Sequence, residues 1–377
     1  MRSLLLALLL PTPAFAQLAV SVQDGKQVLA DGTQVVPAPL GEDSAALIDF
    51  GGAAPRLVAR IPVPASVIGP PHSVALTPDG AFAIVTSARR LSDTDPTLIV
   101  PDDRVTVLAL TGGSPRVVQQ LRAGAGASGI AIDPAGRIAL VANRAEGTVS
   151  MFAIDKGRLR PLATLAVGGT SSSPAQPLFF DGGRRALVSR DGDHRIAILA
   201  IDGETLRLLS ETLAPGLRPY GIDTAGPRRY AVSANIGGGG RDIDTISLID
   251  LSPPEPRVID TVAAGLTPEG IKMSPDGRFV AASVNNGSNL ARAAPTWHAR
   301  GLLRIWRIEE GKLVYVTEAE TGIWGQGIVW SRDGRAVLTQ SMGDKTLERF
   351  AFDGKRLVST GKLALDVGPA ALAGVER

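Results

Sequence analysis

The chain of 377 residues carries 39 basic and 37 acidic side chains, with 43 glycines, 27 prolines and no cysteine. Charges that nearly cancel, with no Lys/Arg run, exclude a dedicated nucleic-acid surface, which needs a clustered basic footprint. The lack of cysteine excludes disulfides, a lipid anchor on an N-terminal cysteine and haem attached through C-x-x-C-H.

In chain order, the first segment is a charged start at Met1 and Arg2, an apolar "LLLALLL" and a small-x-small "AFA" ending at Ala16. This reads as a secretory signal peptide, and its apolar run is too short for a permanent membrane helix. No later stretch is apolar enough to span a bilayer. The expected product is therefore an exported protein, periplasmic or secreted, with one domain over 17–377 and no membrane span. Frequent Gly and Pro amid high apolar content suit tight turns rather than disorder, and charged faces of period 3.6 are hard to find. An all-β chain is expected.

Three strand-like runs follow the leader: "LAVSV", "SAALIDF" and "RLVARIPV". A hairpin signal then appears as "PHSVALTPDGAFAIVTS" and recurs as "ASGIAIDPAGRIALVAN", "PEGIKMSPDGRFVAASV" and "GQGIVWSRDGRAVLTQS". Alignment on the residue that opens each inner strand picks out His72, Ser128, Ala175, Tyr220, Glu269, Gln326 and Ala370, spaced by 56, 47, 45, 49, 57 and 44. After each of the first six come a second strand, a third such as "TVSMFAI" or "TISLIDL", and a fourth such as "RVIDTVAAG". Four strands in roughly 45 residues is the period of a β-propeller blade. The seventh copy, "GPAALAGV", supplies one strand, and the three N-terminal runs supply the missing three. The fold expected is an all-β, seven-bladed β-propeller of four-stranded blades, closed by N- and C-terminal strands sharing one blade and so leaving no open sheet edge.

The repeat P-x-G-I-x-x-S-P-D-G-R, followed by Val141–Asn143 ("VAN"), Ser233–Asn235 ("SAN") and Ser283–Asn285 ("SVN"), resembles the YVTN-repeat and lactonase-type (6-phosphogluconolactonase-like) seven-bladed propellers over essentially the whole chain after the leader. The resemblance specifies shape more than activity. Its members include lactonases, cycloisomerases, redox-enzyme subunits and binding proteins.

Function is expected where loops converge on the channel mouth. The Asp and Gly of "SPDG", "DPAG" and "SRDG" read as turn chemistry on the opposite face. The wide spacings arise in "SARRLSDTDPTLIVPDDR" and "NNGSNLARAAPTWHARG", with a smaller excess in "NIGGGGRDID", all between second and third strands. Long loops in compact domains are usually functional or disordered, and Trp297 and His298 favour a packed lid. Beneath it, His72, Ser128, Tyr220, Glu269 and Gln326 would point toward one axis. Arg144, Arg190, His194, Asn235 and Asn285 would stand behind them, with His298 on the lid.

Such a constellation could open a lactone. His72 or Glu269 would act as general base and an Arg pair would hold a substrate carboxylate or the oxyanion. The ligand expected is small, polar and anionic. The alternative is a non-catalytic scaffold for another exported protein. A lone His at a strand start also has a plain structural reading, as a hydrogen-bonding link to the neighbouring blade. No metal site is assigned, and no cofactor is expected. Asp93/Asp95, Asp191/Asp193 and Asp242/Asp244 form D-x-D pairs, but Ca2+ requires six or more oxygens and each pair alone supplies too few.

Overall fold

Each aligned repeat folds as one antiparallel sheet, because alternating apolar residues bury one strand face against the neighbouring sheet. The computed structural model describes residues 17–225 and 229–375; the leader read at 1–16 lies outside the described residues. Seven four-stranded sheets form the ring. Blades 1 to 6 open with the inner strands Val74–Leu76, Ala127–Ile132, Pro174–Phe180, Pro219–Thr224, Pro268–Met273 and Gly325–Trp330. Blade 7 takes its inner strand, Gly368–Gly374, from the end of the chain and the other three, Leu18–Asp24, Ser44–Asp49 and Arg56–Pro62, from the start. The closure expected from sequence is thus present: Val20 faces Ala373 and Ser21 faces Leu372 across the seam.

There is no single core. Each pair of neighbouring blades shares an apolar layer, such as Val232, Ile246 and Leu248 of blade 4 against Ile271, Val280 and Trp306 of blade 5. The seam is filled in the same way, by Val20 and Leu47 of blade 7 against Val74, Val85 and Leu108 of blade 1.

The glycine of P-x-G-I has a packing reason. A Cβ on Gly270 would lie 2.4 Å from the Gln326 carbonyl oxygen of the next blade, and one on Gly129 would lie 2.4 Å from that of Ala175. Inner strands of successive blades meet there, backbone to backbone. Gly270→Ala is therefore expected to destabilise the protein by roughly 1–3 kcal/mol through overpacking. Gly238→Ala is the control, since a Cβ there meets nothing within 4 Å. Equal urea midpoints for the two variants would contradict the account.

The short turns carry their Asp as caps: Asp79, Asp276 and Asp333 accept from the backbone N–H of Ala81, Arg278 and Arg335 at 3.0 Å each. Four insertions leave the opposite face, each between a second and a third strand. Blade 7 contributes 25–43, including the hairpin Val28–Ala30/Thr33–Val35; blade 1 contributes 87–103, with the hairpin Arg89–Leu91/Ile99–Pro101. Blades 4 and 5 contribute 236–243 and 285–301. The last meets its neighbours through Thr296 Oγ1, 2.6 Å from the Gly240 carbonyl, and the Arg292 N–H, 2.8 Å from Asp31 Oδ1. The blade 7 segment thus passes over blade 6 to reach blade 5. On its other side Lys26 and Asp43 border one hollow with Arg90 and Asp93 of the 87–103 loop. It bridges the two long loops, and this fourth insertion escaped the sequence reading because the seam splits its blade.

Among the described residues no helix is long and apolar enough to cross a membrane.

Candidate functional site

The channel is divided by the segment entering blade 1. Pro70 and Pro71 have no N–H for a sheet ladder, and Gly69 has φ 109°. The chain therefore leaves the blade and crosses the axis. The Pro71 carbonyl accepts from Leu372 N of blade 7 at 3.4 Å and the His72 carbonyl from Ile130 N of blade 2 at 3.0 Å. On the far side of the ring, a Cβ on Gly270 would come 3.4 Å from Pro71 Cγ, and one on Gly221 would come 3.7 Å from His72 Cε1. Blades 4 and 5 lie opposite blade 1 in a ring of seven, so this segment is a plug.

On the lid side of the plug sits a polar cluster. Tyr220, Glu269 and Gln326 each fall where the register of inner and second strands slips, between Pro219 and Ile222, Pro268 and Gly270, and Gly325 and Ile328. Such bulges re-aim a side chain away from the pleat. Two residues before each aligned position the backbone is left-handed: Arg218 φ 56°, Thr267 φ 54°, Trp324 φ 53°. Non-glycine residues rarely hold that conformation, and its clustering marks an over-determined site.

Glu269 Oε1 accepts from Asn285 Nδ2 at 2.9 Å, and its Oε2 from Gln326 Nε2 at 3.1 Å. Burial pushes its carboxyl up to about 7, against the pull of Asn285, Gln326, the Trp324 indole and the Arg218 charge. The side chain keeps partial solvent exposure although the carboxylate is enclosed. The other amide atoms of this pair, Asn285 Oδ1 and Gln326 Oε1, are buried with no hydrogen-bond partner among the described residues.

Beside it, Asp191 lies between two guanidiniums, 2.9 Å from Arg144 and 3.1 Å from Arg218. Arg144 stands 5.5 Å from the Tyr220 ring centre. Although burial opposes its charge, Tyr220 and Asp191 beside it hold its pKa above the ordinary value. Burial also raises the Tyr220 phenol, so it is protonated at neutral pH. Arg218 keeps 38% of its side chain exposed and is the solvent-facing member of the pair.

Of the residues singled out from sequence, Arg144, Tyr220, Glu269, Asn285 and Gln326 are brought together here. His194 supports the cluster from behind: its Nδ1 accepts from the Arg218 backbone N–H at 3.3 Å. Arg190 turns away to Asp193 and to the Val167 carbonyl. Asn235 spends its amide on Thr245 and Ser247 hydroxyls at 3.0 Å each, which ties the second and third strands of blade 4. Asn143 makes the same tie to Thr148 and Ser150 in blade 2. In blade 5 the strand position equivalent to these is Val284, and Asn285, one residue further on, is turned to Glu269. His298 is exposed on the lid and Trp297 is half-buried.

His72 occupies the other side of the plug and lines a cavity of about 440 Å3 that opens toward the short turns; Glu269 is not part of its lining. The two candidate bases therefore lie on opposite sides of the plug. In each D-x-D pair at least one carboxylate has a protein partner: Asp93 pairs with Arg90, Asp193 with Arg190, and Asp244 accepts from Thr267 N.

Arg218, Asp191 and Trp324 complete the cluster without having been assigned to it from sequence. Arg218 and Trp324 share one signal, the place two residues before the aligned position.

No family model matches the chain, and no curated protein matches it. Solved structures do. A periplasmic gluconolactonase from Pseudomonas aeruginosa has TM-score 0.69 and 16% identity, covering 95% of this chain and 99% of that one. A protein from Bacteroides fragilis provisionally named a 6-phosphogluconolactonase has TM-score 0.72 and 17% identity, covering 97% and 99%. A functionally unknown protein from Desulfotomaculum acetoxidans has TM-score 0.69 and 14% identity, covering 95% and 99%. At these identities the likeness establishes the seven-bladed fold.

Proposed function

We propose that this protein binds a small polar anion in the lid-side chamber and opens a lactone there by hydrolysis. The observation that carries the reading is Glu269, a carboxyl pushed up to about 7 and flanked by two orphaned buried amide oxygens, beside an Arg pair that shares one Asp. A general base works best when its pKa lies near the operating pH. Two guanidiniums on one carboxylate leave surplus positive charge for an anionic group or a developing oxyanion. Glu269 would take a proton from water as that water adds to the lactone carbonyl. Arg218 would hold the oxyanion. Collapse would break the ring C–O bond, and the proton held by Glu269 would pass to the alkoxide, giving a hydroxy acid. The orphaned oxygens Asn285 Oδ1 and Gln326 Oε1 would accept from substrate hydroxyls. The leader read from sequence supports an activity outside the cytoplasm, in the periplasm or medium. The gluconolactonase among the structural neighbours supports a lactone as the first substrate class to test.

The experiment is a panel of aldonolactones and their acids, followed by acid release and thermal shift together. The expected result is ring opening above the buffer rate and stabilisation by at least one acid. Arg218→Ala should weaken acid binding roughly ten- to a hundredfold, as for a lost charge-assisted hydrogen bond. No acceleration and no shift across the panel would overturn the reading.

The second reading is a scaffold for an exported partner. It is favoured by five large apolar side chains left exposed on the lid face: Val35, Leu40, Leu98, Leu217 and Ile243. A panel without effect, together with an exported protein that co-purifies with the wild type and is lost from Leu98→Asp and Ile243→Asp, would support it.

A further inference from the structure

We infer that the chamber on the short-turn side of the plug is a second binding site, for a small uncharged molecule with an apolar body and one hydroxyl. This site is separate from the one proposed above and needs none of its residues. Three observations carry it. The first is the cavity itself: about 440 Å3, within the range of small-ligand sites. The second is His72 at its closed end. The imidazole is 6% exposed and lines the cavity, and its Nδ1 has no hydrogen-bond partner among the described residues. A buried polar atom without a partner costs free energy unless a ligand or water supplies one.

The third observation is the rest of the wall. Leu76, Leu178, Phe179, Met273 and Trp330 give a broad apolar lining. The charged side chains of the lining balance, two acidic against two basic: Lys272 Nζ lies 3.0 Å from Asp223 Oδ1, that carboxylate also accepts from Met273 N at 2.8 Å, Asp133 accepts from the Arg137 and Ile138 N–H at 2.5 and 2.7 Å, and Arg332 is exposed to solvent. Trp330 Nε1 donates to the Lys272 carbonyl at 3.2 Å and turns its ring to the cavity wall. The chamber thus has no surplus charge to attract an ion, in contrast to the Arg pair across the plug. Burial, with Lys272 nearby, keeps His72 well below its ordinary pKa and hence neutral. A neutral imidazole nitrogen is a donor or an acceptor according to tautomer, and a hydroxyl satisfies either. An apolar body over Phe179, Met273 and Trp330 with its hydroxyl on His72 therefore matches the apolar wall and the imidazole beside it.

The probe is 2-naphthol, uncharged at pH 7, with 2-methylnaphthalene as the analogue that can neither donate nor accept. Calorimetric titration of the full protein should show one site for 2-naphthol and about tenfold weaker binding of the hydrocarbon. His72→Phe keeps a ring but removes the nitrogen, and should weaken 2-naphthol about tenfold without altering the hydrocarbon. Ala131→Phe, on the blade 2 wall, should block both probes, and it decides the matter if His72→Phe fails to fold. Gluconate at saturation should leave 2-naphthol binding unchanged, and so should Glu269→Gln. The inference is overturned if the wild-type protein does not bind 2-naphthol, or if both wall variants bind it as the wild type does. Displacement by gluconate, or loss of binding in Glu269→Gln, would place the probe in the lid-side chamber and overturn it as well.

Discussion

A chain ending at Val367 is expected to melt at least 10 °C below the full protein, if it folds at all. The deleted Gly368–Gly374 is the inner strand of blade 7, paired along its length with Leu18–Asp24. Ala371 is 0% exposed, Leu372 1% and Ala370 2%, so the deletion opens a void rather than trimming a surface. Leu372 packs in the layer between blades 6 and 7 with Val329 and Leu338, and Ala371 packs in the layer between blades 7 and 1 with Val22 and Val74. Loss of one buried leucine alone costs about 2–5 kcal/mol. The deletion adds an unpaired edge on Leu18–Asp24 and frees Pro71 of the plug from Leu372 N. The sum is comparable with the 5–15 kcal/mol that holds a typical domain. With no disulfide across the seam, nothing covalent compensates. Calorimetry of the truncated chain, with and without a synthetic peptide of residues 368–377, is the measurement. Stability unchanged by the deletion would show that the seam does not hold the ring.

The ring was legible because a propeller writes its period into the sequence. Most blades open on a Pro or small residue, four carry a Gly for the backbone approach, at 129, 221, 270 and 327, and Asp-capped turns recur between them. The terminal fragments were legible as complements because each lacked what the other had. The site was legible only as a ring of positions. Repeat alignment placed Tyr220, Glu269 and Gln326 together because they share one bulge, but it also placed His72 with them. Alignment counts residues; it does not see that Pro70 and Pro71 forbid the ladder and drive the chain across the axis. Likewise Asn143, Asn235 and Asn285 look alike in sequence. The hydroxyls at 148 and 150, and at 245 and 247, capture the first two. In blade 5 the position with their register is Val284, paired with Leu302, and Asn285 falls one residue beyond it, where it reaches Glu269 instead. Arg218 and Trp324 were invisible because a left-handed backbone is usually read from glycine, and neither is glycine.

Glu269→Gln is expected to lower lactone turnover by roughly 10^2–10^4, the usual contribution of a positioned general base. The substitution keeps the volume and leaves one oxygen to accept from Asn285 or Gln326, but it cannot take up a proton. Its pH behaviour separates a catalytic from a structural role. As a base Glu269 must be ionised, so the wild-type rate should rise with pH and level off above about 7. Stability should move the other way. The carboxyl is pushed up from its ordinary value of 4.5 by burial, so between those two values the folded protein holds a proton that the unfolded chain has released. Stability therefore falls as pH rises through that window and levels off above it. Glu269→Gln removes this dependence and should gain on the wild type as pH rises from 5 to 8, although the amide forfeits one of the hydrogen bonds that the carboxylate accepts. The measurements are turnover against pH and urea midpoints against pH for both proteins. A rate profile flat through 7 in the wild type, or a Gln variant with full turnover, would remove Glu269 from the chemistry. An unchanged pH slope of stability in the variant would show that the carboxyl titrates normally, and the argument that it is held ready as a base would fail with it.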